Sequence, residues 1–169
     1  MFRTLPIKTR LVFSGIVSIV AIVVLAALAT YSLWQSELEL KRQIRMTEAV
    51  ELQWSATASH EAIDGKVNYA LLVGAEANST KQTHLKTSLA EDIEKLRHRL
   101  SALRALDLSP ELNATVDQIT PAAEKYMVSS RKLLAQAFSD PEAAMLELAE
   151  FHKQFAALEA AFVPLAKRL

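Results

Sequence analysis

The chain has 169 residues, with 19 Lys plus Arg balanced by 19 Asp plus Glu, and it has no Cys. That balance leaves no basic footprint for nucleic acid, and the missing Cys removes disulfides, thiolate metal sites and covalent haem attachment. With only 3 Gly and 5 Pro among many Ala and Leu, the composition favours long helices, and the predicted class is all-α.

Residues 1–10 form a short cap with Arg3, Lys8 and Arg10 and no acid. A basic flank of this kind stays in the cytoplasm. Residues 11–34, LVFSGIVSIVAIVVLAALATYSLW, contain no Asp, Glu, Lys, Arg or His. As a helix they reach about 36 Å, enough for a hydrocarbon core of about 30 Å. The segment is apolar all round, so it is not one side of a soluble helix. Tyr31 and Trp34 close its far end, where amphipathic rings favour the membrane interface. Arg3, Lys8, Arg10, Tyr31 and Trp34 are therefore the expected membrane-interface residues. The rival reading is a cleaved signal peptide with Ala27-Leu28-Ala29 as the cleavage site, but the apolar run continues past that site.

Residues 35–169 are predicted to be an extracytoplasmic up-down-up-down antiparallel four-helix bundle. Its helices are expected at about 36–76, 79–106, 110–138 and 141–169. The first has a weak, small-residue seam: Leu52, Ala56, Ser59, Ile63, Ala70 and Val73. Ser79 and Gln82 have capping-box spacing and should start the second. That helix carries Leu85, Leu89, Ile93, Leu96, Leu100 and Leu103 at steps of three and four. Ser109-Pro110-Glu111 is a helix start: Ser caps, Pro needs no N–H partner, and Glu meets the positive end of the dipole. Leu112, Val116, Ile119, Ala123, Tyr126, Ser130, Leu133 and Ala137 follow on a strict repeat, with Pro121 expected to kink or split the helix. Asp140-Pro141-Glu142 repeats the start signal. Leu148, Phe151, Phe155, Leu158, Phe162, Leu165 and Leu169 then keep a seam that shows no stop. Helix lengths place Leu169 on the order of 15–20 Å short of the membrane. The natural chain is thus expected to continue into a second membrane crossing.

The cap PIKTRLVF, one membrane helix running straight into an Ala/Leu-rich bundle, and the segments YALLVGAEAN and LAQAFSDPEAAMLELAEFHKQFAALEAAF resemble the front of bacterial methyl-accepting chemotaxis receptors. Some transmembrane histidine kinases and diguanylate cyclases begin alike. The resemblance implies a homodimeric periplasmic sensor in the inner membrane. Binding of a small molecule would shift a helix and so signal to a cytoplasmic output. Members that sense aspartate or serine grip the ligand carboxylate with arginines near the tip of the first helix. Here residues 60–76 contain no Arg, so no amino-acid specificity is carried over.

His60, Asp64 and Asn68 are spaced i, i+4, i+8 and share one helix face. Counting back from the turns puts them level with Asp92, Tyr126, His152 and Lys153. His60, Asp64, Asn68, Tyr126, His152 and Lys153 are the candidate ligand-binding residues. The alternative is an ordinary solvated face, with the Tyr126 ring in the core and its hydroxyl in water. Lys41, Arg42 and Arg45 are placed to touch lipid phosphates or simply to pair along the helix.

Four His in a helical chain raise the question of a metal. Di-iron bundles need Glu three residues before His, and the residues there are Thr57, Lys81, Lys95 and Ala149. No cofactor is predicted. Trp54, Phe151, Phe155 and Phe162 are expected in the core. No nucleophile–base pair or phosphate loop is visible, so an enzyme is not expected. The competing function is a single-pass anchored helical protein that docks another membrane protein.

Overall fold

The computed structural model describes the backbone of residues 7–106 and 108–169, and the side chains of residues 11–74, 76–106 and 108–169. Arg3 lies outside the described residues, as do the side chains of Lys8 and Arg10. The described residues form four α-helices and one 3-10 turn, with no strand among them: α1 Ile7–Val73, the turn Gly74–Glu76, α2 Ser79–Ala105, α3 Pro110–Ser139 and α4 Pro141–Ala166.

The chain divides into two units, Met1–Ile44 and Arg45–Leu169. In the first, α1 is long and apolar enough to cross a membrane. Its apolar side chains are uncovered, with Leu11, Ile22 and Leu33 exposed by 69%, 65% and 73%. Two hydroxyls along it are satisfied within the helix. Ser18 donates to the Ser14 carbonyl and Thr30 to the Ala26 carbonyl, each at 2.9 Å. Such back-bonding removes the need for water at those groups. The Tyr31 and Trp34 rings lie 6.4 Å apart.

The second unit has one core. In α1 the buried line is Ala49, Gln53, Ala56, His60, Ile63, Val67 and Ala70, at alternating steps of four and three. That is a 3.5-residue repeat, the period that keeps one seam facing its neighbours. Every seam position expected on α2 and α3, from Leu85 to Leu103 and from Leu112 to Ala137, is buried. In α4 the buried positions are Ala144, Phe151, Leu158, Phe162 and Leu165.

The helix ends follow local chemistry. Ser109 Oγ accepts from the Leu112 N–H, and Asp140 Oδ1 accepts from the Ala143 N–H at 3.0 Å. Both precede a Pro in the first helical position. At α2 the cap is Asn78 rather than Ser79: Asn78 Oδ1 accepts from the Lys81 N–H at 2.9 Å. Gln82 reaches back to the Ala77 carbonyl at 2.9 Å. Asn is as good an N-cap as Ser, and the residue closer to the turn takes the role. Pro121 lies inside α3 without splitting it.

Side chains also pair between helices. On α2 and α3, Arg97 meets Glu124 at 3.0 Å, Arg104 meets Asp117 at 2.7 Å and Glu94 meets Arg131 at 3.2 Å. On α3 and α4, Lys132 meets Glu147 at 2.6 Å. Arg168, just past α4, donates to Thr115 Oγ1 at 3.0 Å. From α2, Arg99 donates to the Ser55 carbonyl of α1 at 2.8 Å, and Asp92 binds Lys66 of α1. The exposed pairs contribute at most about 1 kcal/mol each, so they select register more than they stabilise.

Trp54 corrects the expectation of a core residue: it is 68% exposed. It sits two residues before Ala56, about 200° around the helix and hence on the far side from the seam.

Two glycines on the same stretch of chain make opposite demands. A Cβ at Gly74 would collide with the Ala137 carbonyl, whose carbon lies 2.8 Å away, whereas a Cβ at Gly65 meets nothing within 4 Å. Gly74→Ala should therefore cost about 1–3 kcal/mol through overpacking against backbone. Gly65→Ala should add about 0.5–1 kcal/mol through helix propensity. Urea unfolding of the two variants, followed by circular dichroism, should move in opposite directions from the parent.

Candidate functional site

The seam of α1 carries one ring at a core position, His60, and the opposing helices meet it with rings of their own. His60 is 2% exposed and Tyr126 of α3 is fully buried. The Tyr126 hydroxyl donates to the His60 carbonyl at 3.0 Å. Their rings meet edge to face, 4.9 Å between centroids. From α4, Phe155 stacks on His60 at 4.1 Å, and Phe151 stacks on Tyr126 at 5.4 Å. Offset and edge contacts of this kind add about 0.5–1.5 kcal/mol beyond the area they bury. Ser130 Oγ donates to the Tyr126 carbonyl at 2.7 Å and closes the polar side of the cluster on α3.

One turn further along α1 is a polar margin. Asp64 is half-buried, and its Oδ2 accepts from Asn68 Nδ2 at 2.8 Å. Asp64 Oδ1 is buried with no hydrogen-bond partner among the described residues, and so is His60 Nε2. His152 is exposed, its ring 5.8 Å from that of Phe151, and its charge reaches Asp64.

The candidate residues therefore fall into three groups. His60 and Tyr126 form a buried pair. Asp64, Asn68 and His152 stand beside it, where the chain opens to solvent. Lys153 is 79% exposed and lies 3.7 Å from Glu150 on its own helix, away from the pair. The solvated-face alternative fails at the first group: the Tyr126 hydroxyl bonds to backbone, not to water, and His60 is sealed. Asp92 has separate partners, Lys66 and, at 3.0 Å, Lys95. The residue that sequence reasoning assigned only to packing is Phe155, the half-buried ring that covers His60. Its signal was already present in the 3.5-residue repeat of α4.

Burial governs the protonation states. It pushes the His60 imidazole down to about 4, against a hydrogen bond with the Phe155 backbone that favours the charged form. The ring is therefore neutral near pH 7. In the neutral ring one nitrogen donates and the other accepts. Burial raises the Asp64 carboxyl, opposed by the charge of His152 and the hydrogen bond from Asn68. Burial and then the Asp64 charge push the Tyr126 phenol above its ordinary range. Among the described residues, no three His, Asp or Glu side chains converge as a metal-binding group. The arrangement is an aromatic cluster with unpaired polar atoms at its edge.

The His60 shift sets a pH dependence. Its ordinary value is 6.5, so below that pH the unfolded chain takes up a proton that the folded chain refuses until about 4. Stability from the neutral ring is complete above the ordinary value and falls as the pH drops through the shifted one, by roughly 3 kcal/mol in total. Asp64, shifted upward, acts in the opposite sense, so the readout is a difference between variants. Urea unfolding of the full chain in detergent, at pH values of about 7.5 and about 4.5 on either side of that window, should show a loss that His60→Gln reduces. An equal loss in parent and variant would exclude His60 as its source.

Compared with known proteins, the chain matches no family model, no curated sequence and no solved structure.

Proposed function

We propose that this chain is the ligand-sensing region of a bacterial transmembrane signal transducer, most simply a chemotaxis receptor. Residues 11–34 would cross the inner membrane with the N-terminus in the cytoplasm. The second unit would stand outside as an up-down-up-down antiparallel bundle. Binding of a small molecule at the His60 cluster would displace α1, which would carry the shift inward.

The observation that carries this reading is that His60 lies on the same helix as the apolar segment, α1, continuous from Ile7 to Val73. A continuous helix with a polar break in its seam is a direct way to couple binding to displacement. The antiparallel order is supported by the inter-helix pairs, whose numbers run in opposite senses: 94 with 131, 97 with 124, 104 with 117. A membrane position is supported by the uncovered apolar side chains of residues 11–34, which water solvates poorly. A second copy is supported by the open face of α1. There Trp54 and Leu72, 68% and 82% exposed, flank the small exposed residues Ala58, Ala62 and Gly65.

That same face supports the second reading, a single-pass anchored protein that docks a different membrane protein. The two readings separate on the native product. An antibody to residues 36–169, used on source-cell membranes, should reveal a band several-fold heavier than the 18.7 kDa of this chain. A band at that mass would remove the transducer reading and favour the docking protein, and cross-linking would then identify its partner.

The absence of native Cys makes the orientation testable as well. Ser79→Cys introduces one thiol at an exposed site beside the α1–α2 turn. In spheroplasts a membrane-impermeant maleimide should label it without lysis. Labelling only after lysis would place the second unit in the cytoplasm.

A further inference from the structure

Two buried polar atoms without partners lie one helical turn apart on α1, the first of them on a ring packed against Tyr126 and Phe155. They are His60 Nε2 and Asp64 Oδ1. A buried polar atom left unpaired is unfavourable, the more so if it is charged. Two in one place are a cost that a ligand with N–H groups would remove.

The donors nearby are already spent. The Tyr126 hydroxyl is bonded to the His60 carbonyl, Ser130 to the Tyr126 carbonyl and the Asn68 amide to Asp64 Oδ2. The nearby lysines are engaged elsewhere, Lys66 with Asp92 and Lys153 with Glu150, and the exposed His152 acts on Asp64 through its charge and leaves Oδ1 without a hydrogen bond. An occupant that brings its own donors would satisfy both atoms. A carboxylate or phosphate ligand would meet the Asp64 charge and two lone pairs. A cation bearing N–H groups meets complementary charge at Asp64, an acceptor at His60 and ring faces that attract positive charge.

Resting on the sensing reading above, we propose that the neutral His60 ring holds its proton on Nδ1, leaving Nε2 as an acceptor, and that the ligand is a protonated organic amine. Its ammonium group lies between Asp64 Oδ1 and His60 Nε2, and its carbon body lies against Phe155. Entry is past the half-buried Asp64, Asn68 and Phe155, the part of the cluster that solvent reaches. This assignment differs from carboxylate recognition by arginine, for which these residues offer no cation of the right kind.

The test uses the full chain in lipid nanodiscs and isothermal titration calorimetry. The probes are butylammonium, phenethylammonium and 1,4-butanediammonium, each paired with the neutral alcohol of the same skeleton. At least one amine should bind saturably near neutral pH and its alcohol should not. Asp64→Asn, nearly isosteric and at a half-buried position, should weaken the amine by roughly tenfold or more, as loss of a charge-assisted bond does. Lys153→Ala should leave it unchanged. His60→Phe, which keeps the ring stack and removes Nε2, should weaken it as well, so the proposal does not rest on one variant. Equal affinity for amine and alcohol, or indifference to both Asp64→Asn and His60→Phe, would overturn it. If no amine binds, a thermal-shift screen of neutral and anionic compounds separates the two failures. A hit abolished by Phe155→Ala would overturn the amine and leave the sensing reading in place. A screen with no hit would overturn both.

Discussion

The contact on which the second unit depends is the bond from the Tyr126 hydroxyl to the His60 carbonyl, with the two rings edge to face beside it. It joins residues 66 apart in sequence and ties α1 to α3 at the level where α4 inserts Phe151 and Phe155. Burying a phenol and an imidazole is unfavourable unless their polar atoms are satisfied. Tyr126 meets that condition in full and His60 in half. The cluster therefore fixes one register among the helices and leaves one polar demand open. Apolar packing alone would fix the register less sharply, since neighbouring heptad layers of Leu and Ala resemble one another.

The remaining packing is asymmetric. Core positions on α2 and α3 bury Leu89, Ile93, Leu96, Ile119 and Leu133, whereas α1 contributes Ala49, Ala56 and Ala70 beside Ile63 and Val67. Replacing a buried Leu by Ala in a seam forgoes about 2 kcal/mol of apolar burial, at about 0.8 kcal/mol per methylene. Gly74, one step further along the same repeat, approaches so closely that the Ala137 carbonyl occupies the place of a Cβ. The close approach at this end of the chain is made by the turn, not by α1 itself.

Much of this was legible before any coordinates. The seams of α2, α3 and α4 stand out because Leu, Ile, Val and Phe recur at steps of three and four. The starts of α3 and α4 are legible because Ser-Pro-Glu and Asp-Pro-Glu combine three independent signals. What the sequence concealed lies on α1. Its seam is small and polar at the positions that matter, so a hydrophobic period picks a line through Leu52 and Ser59. Ser59 is indeed buried, but the regular repeat runs one residue over at both places, through Gln53 and His60. Trp54 was misplaced for a related reason, because a large aromatic invites a core assignment that its helical angle forbids. The candidate site was read from a chemical pattern, i, i+4, i+8, whose first member, His60, lies on the buried line of α1. That pattern could not say that His60 was sealed while Asp64 was half open, because this depends on which ring of α4 arrives above it.

The same features bear on how such a device would switch. In the proposed transducer, the helix that moves must be displaced by about an ångström or two using the free energy of one small ligand. A helix anchored by a full Leu seam would resist, because sliding it would break many well-packed contacts at once. α1 carries Ala at core positions 49, 56 and 70, and its largest polar demand sits at one layer. Occupying the open acceptors at His60 and Asp64 would change the energy of that layer alone, by the few kcal/mol that charge-assisted hydrogen bonds supply. That amount is comparable with the burial α1 lacks, which is the condition for a ligand to shift the balance between two packings of the same helix.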